Sequence, residues 1–68
     1  MKIKYSDGRE SEVENEDEAR ESLDGEYSEA EYGDWEQNGD APERMLVWED
    51  AESAENDDGA NAVAEIIA

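Results

Sequence analysis

The stretch DGANAVAEIIA, Asp58 to Ala68, closes the chain, and its reading decides the fold. Ala60, Val63, Ala64 and Ile67 fall on one stripe at helical spacing, with Asn61 and Glu65 on the other side. The spacing predicts a helix over 58–67. Asp57 or Asp58 stands where a cap would accept from the free N–H groups of its first turn.

Working outward, Arg44-Met45-Leu46-Val47-Trp48 is apolar on both faces and reads as a central strand. Asn38-Gly39 before it is the strongest hairpin signal in the chain, joining it to an extended segment over 30–37 that carries Tyr32 and Trp35. The stretch 49–55 between the strand and the last helix reads as a loop or a frayed turn.

At the other end, Met1, Ile3 and Tyr5 alternate with Lys2 and Lys4. The alternation breaks at Ser6-Asp7-Gly8 and resumes toward Val13, as in a hairpin. Asn15 with Glu18 three residues on forms a capping box, with Asn in the place of Ser or Thr. It opens a short helix, roughly Glu16 to Asp24, that Gly25 would stop. Ala19, Leu23 and Tyr27 share its apolar stripe.

The expected order is therefore ββαββα in a single small α+β domain, 1–68. A four-stranded antiparallel sheet would carry two helices on one face. The predicted core is Ile3, Tyr5, Val13, Leu23, Trp35, Leu46, Trp48, Val63 and Ile67.

Charge dominates the composition: 23 Asp and Glu stand against five Lys and Arg, with no His and no Cys, for a net charge of −18. A disordered acidic chain is one reading of these numbers, because Leu, Ile and Val are few. A fold adapted to molar salt is the other. At ~1 M salt the Debye length falls to about 3 Å, so carboxylates one helical turn apart scarcely repel each other. The acids are spread along the chain, lysine is confined to Lys2 and Lys4, and the apolar residues are periodic. These features favour a folded, salt-adapted domain. No apolar run approaches a secretory or membrane segment, which sets the expectation of a cytoplasmic protein.

Candidate sites fail on inspection. A calcium loop with Gly59 at its sixth position gains Asn56, Asp58 and Glu65 as ligands. It also places Ala54 at its first position and Asn61 where an apolar residue belongs. A second candidate starting at Asp34 reaches Met45 at its twelfth position and includes Pro42. Diffuse hydrated cations remain the expected metal partners. Carboxylate pairs are everywhere, so no single pair points to catalysis. Tyr27, Tyr32, Trp35 and Trp48 could form a stacking platform, but five cations are too few to neutralise a nucleic-acid backbone. The sequence therefore assigns no catalytic, cofactor-binding or metal-ligating residue, and no direct nucleic-acid binding.

Excess Asp and Glu, scarce Lys and abundant Ala, as in DDGANAVAEIIA, make the chain resemble the small, acidic, uncharacterised proteins of halophilic archaea. The resemblance implies an environment of high salt and carries no functional residues with it. The expected role is non-enzymatic contact with a protein partner, a homodimer included. The alternative is an acidic mimic of nucleic acid that occupies a cationic groove.

Overall fold

The computed structural model describes residues 1–55 and 61–68. Two hairpins and one inserted strand make a single antiparallel sheet. The first hairpin is β1 (Lys2–Tyr5) and β2 (Glu10–Glu12), followed by α1 (Glu16–Glu26). The second is β3 (Glu31–Tyr32) and β4 (Arg44–Trp48), followed by a short α2 (Ala51–Glu55). The last element, β5 (Ala64–Ile67), lies between the hairpins and gives the strand order β2-β1-β5-β4-β3. It pairs with β1 on one side and β4 on the other. Both edges of β5 are thus hydrogen-bonded, as a central strand requires.

The predicted helix over 58–67 is thereby corrected, as is the count of four strands. In Ala64-Glu65-Ile66-Ile67 the burial alternates, with Ala64 and Ile66 inside. Period two has prevailed over the helical stripe, because β5 joins two hairpins that would otherwise share no hydrogen bonds. The proposed caps Asp57 and Asp58 lie outside the described residues.

Local signals at the other end act as read. Gly8, at φ 99°, supplies the left-handed turn residue of the first hairpin, and Gly39, at φ 60°, does so in the second. The second connection is wide: beyond β3 it touches β4 again through a bridge between Glu36 and Arg44. Extended structure in the predicted segment 30–37 is thus limited to Glu31–Tyr32 and that bridge. Asn15 caps α1, its Oδ1 accepting from the Glu18 N–H at 2.9 Å. The Glu18 carboxylate reaches back to the Glu14 N–H at 3.3 Å, one residue before the cap. Gly25 does not stop the helix, which runs to Glu26. There the Tyr27 N–H donates to the Leu23 carbonyl at 2.7 Å. Asp50 caps the short α2, its Oδ1 accepting from the Ser53 N–H at 2.7 Å. No residue of α2 is buried, so only α1 covers the sheet with buried side chains among the described residues.

The core is Ile3, Val13, Ala19, Leu23, Met45, Val47, Ala64 and Ile66. Leu46, Trp48 and Ile67 were expected there, and all three point the other way, half-buried on the opposite face. A one-residue shift turns every side chain of a strand over, which is the difference in β4, whereas in β5 the expected helical stripe gives way to alternation that buries Ala64 and Ile66 and turns Ile67 out. Tyr5 and Trp35 pack against the core from partly buried positions, and Val63 is also partly buried. The described residues include no buried polar or charged side chain. Their carboxylates therefore keep their water and ions.

Candidate functional site

Two polar arrangements stand out. The first fastens α1 to the β3 end of the sheet. Arg20 projects from α1 over the Tyr32 ring, 4.3 Å from its centroid, and its Nε donates to Glu16 one turn earlier at 3.0 Å. The Tyr32 hydroxyl donates to Asp24 at 2.7 Å and lies 3.1 Å from the Arg20 carbonyl. Trp35 Nε1 donates to the second oxygen of Glu16 at 2.8 Å. Two aromatic rings and one guanidinium thus hold three helical groups. The network is structural: it shuts the side of the core that a single helix leaves open.

Burial, and then the bond to Asp24, push the Tyr32 hydroxyl above its ordinary value of 10.0. The folded state therefore holds this proton more tightly than the unfolded chain does. That stability is fully present below pH 10 and is lost as pH rises beyond it. Tyr32→Phe should flatten the loss of stability between pH 10 and about 12, measured by urea unfolding at fixed salt. An unchanged slope would show that Tyr32 ionises freely in the fold.

The second arrangement is the sheet face opposite α1. Strand alternation puts Lys2 and Lys4 of β1, Arg44 and Leu46 of β4, and Glu65 and Ile67 of β5 on it. Three of the five Lys and Arg residues of a chain with 23 acids thus share one face. The registers arrange the side chains in rows. Glu12, Lys2, Ile67 and Arg44 stand abreast across β2, β1, β5 and β4. Glu10, Lys4, Glu65 and Leu46 form the next row. Lys2 donates to Glu10 at 3.0 Å and Arg44 to Glu65 at 3.1 Å. The carboxylate of Glu10 raises the affinity of the Lys2 ammonium for its proton, and the ammonium lowers that of Glu10 in turn. Lys4 is exposed and makes no ion pair among the described residues. Arg44 Nε is shielded from solvent without a hydrogen-bond partner. A shallow open depression lies between these groups, lined in part by Lys4, Ser6, Arg44, Leu46 and Glu65.

The four aromatics of the suggested stacking platform are divided between the faces. Tyr27, Tyr32 and Trp35 pack against the core. Trp48 follows the buried Val47 onto the opposite face and lies against Gly33, where a Cβ would come 3.2 Å from its ring. Of the rejected calcium ligands, Asn56 and Asp58 lie outside the described residues, and Glu65 is held by Arg44. In the second candidate loop, Glu36 exchanges backbone hydrogen bonds with Arg44, while Asp34 is exposed. The described residues hold no group of three Asp or Glu placed to bind a metal ion. None of their helices is long and apolar enough to cross a membrane.

Sequence reasoning missed the charge-mixed face, although Lys2, Lys4 and Arg44 could have been listed as a cationic minority. Fold and site together define a small α+β domain, with one five-stranded antiparallel sheet covered on one face and bearing mixed charge on the other. Comparison with family models, with curated proteins and with solved structures finds no match to this chain.

Proposed function

We propose that this is a non-enzymatic, cytoplasmic, salt-adapted domain that acts through protein–protein contact. The observation that carries the reading is the segregation of charge. Surplus carboxylate surrounds a molecule whose one mixed face holds three cations beside Leu46, Trp48 and Ile67. At a net charge of −18 a compact body repels itself in dilute buffer. Molar salt shortens that repulsion to contact range and strengthens apolar burial if its anion is excluded from the surface. A surface that tolerates such salt also keeps the protein dissolved in it.

The rival reading, an acidic mimic of nucleic acid, draws on the outer side of α1, where Asp17, Glu18 and Glu21 are exposed in succession. Near-UV circular dichroism of the two tryptophans across a KCl titration decides between them. Order that arises only toward molar KCl supports salt adaptation. A spectrum already complete at about 50 mM, joined to binding of a cationic groove that fades with added salt, supports the mimic. A featureless spectrum at every salt concentration would sink the folded-domain reading itself.

A further inference from the structure

We infer that the mixed sheet face is self-complementary and is the contact between two copies of this chain. The inference rests on the protein-contact reading and names its partner. The registers supply the geometry. A two-fold axis in the interface, parallel to the strands and midway between β1 and β5, exchanges β1 with β5 and β2 with β4 of the other copy. Rows are preserved by this operation. Lys4 then faces the second copy's Glu65, and Arg44 faces the second copy's Glu12. The apolar stem of Lys2 faces Ile67, and each of these contacts occurs twice, as isologous symmetry requires. Glu10 meets Leu46 while keeping its own Lys2.

The neighbouring placement fails. An axis lying on β5 itself would exchange β1 with β4, setting Lys2 over Arg44 and leaving Lys4 over Leu46. Charge thus favours the first register over this one. The customary angle of about −30° between packed sheets displaces pairs at the rim more than those beside the axis, so Lys4–Glu65 is held best.

Charge also selects the occupant. Lys2, Lys4 and Arg44 share this face with Glu10, Glu12, Glu31, Glu36 and Glu65, five acids to three cations, whereas the rest of the chain carries 18 acids to two cations. Two such molecules repel each other least through this face.

The chain has no cysteine, so single thiols report position cleanly. Glu12→Cys and Arg44→Cys proteins, mixed in 2 M KCl with a short bis-maleimide, should give several-fold more cross-linked dimer than either protein alone. In the proposed register position 12 faces position 44, while like positions stand three strand spacings apart, roughly 14 Å, across the gap between sheets. Sedimentation equilibrium of the unaltered protein in 2 M KCl should give twice the monomer mass. Lys4→Glu, which sets carboxylate against Glu65, should return it to monomer without changing the tryptophan spectrum. Monomer at every concentration overturns the inference and leaves contact with a different protein standing. Dimer with equal cross-linking in all three samples also overturns it, by placing the contact elsewhere. A tryptophan spectrum lost in the unaltered protein at 2 M KCl removes the folded-domain reading instead.

Discussion

Ile66→Ala is expected to leave the chain largely unfolded, while Ile67→Ala, one residue away and only partly buried, costs about 1–2 kcal/mol. Ile66 is fully buried in the middle strand, abreast of Ile3 on β1 and Met45 on β4. Truncating a buried isoleucine costs about 2–5 kcal/mol, through lost transfer and the cavity left behind. A domain of this size holds only about 3–5 kcal/mol in total. Ile67 stands on the mixed face, partly buried, so truncation there removes less packing than at Ile66. Had 58–67 been a helix with Ile67 on its apolar stripe, the ranking would be reversed. Urea unfolding of both variants at one KCl concentration, followed by tryptophan fluorescence, reads the difference, and equal midpoints would contradict a strand at 64–67.

Why that strand was hidden in the sequence is a matter of competing periods. Ala60, Val63, Ala64 and Ile67 satisfy a helical stripe as well as Ala64 and Ile66 satisfy alternation. The bonds that decide the matter come from β1 and β4, many residues away in the chain. Local pattern contains none of that information. The first hairpin was legible for the opposite reason: Lys2 and Lys4 mark the outer face, so Ile3 had to point inward. In Met45-Leu46-Val47-Trp48 no polar residue marks either face, so alternation alone does not choose between Leu46 with Trp48 and Met45 with Val47. The smaller pair, Met45 and Val47, fills the space under α1.

The cap at Asn15 and the turns at Gly8 and Gly39 depend on a few neighbouring residues and were readable from them. The rows of the mixed face depend on four strands in register, so residues as distant as Glu12 and Arg44 share a row that no window of sequence contains. The candidate site was therefore less legible than the fold.

Leu23→Ala is the second large effect, and it links packing to salt. Leu23 is fully buried and, with Ala19, is one of only two buried residues on α1. That helix closes the core against Ile3, Met45, Val47 and Ile66. Removing the anchor costs about 2.7–5 kcal/mol if the core relaxes as little as a well-packed one does. The Arg20–Tyr32 and Trp35–Glu16 contacts cannot offset that loss, since exposed and half-exposed polar pairs contribute about 1 kcal/mol or less each. The helix also carries Glu16, Asp17, Glu18, Glu21, Asp24 and Glu26 with Arg20 as its sole cation, so charge repulsion works against the same packing. Screening and burial therefore hold α1 down together, and weakening one raises the demand on the other. The KCl midpoint of folding should move upward in Leu23→Ala, with full order recovered, if at all, only well above the concentration that the unaltered protein needs. In Glu21→Gln, which removes one exposed charge and no packing, the midpoint should move downward. Both midpoints can be read from the near-UV spectrum. A Leu23→Ala midpoint equal to that of the unaltered protein would mean that α1 is not what closes the core.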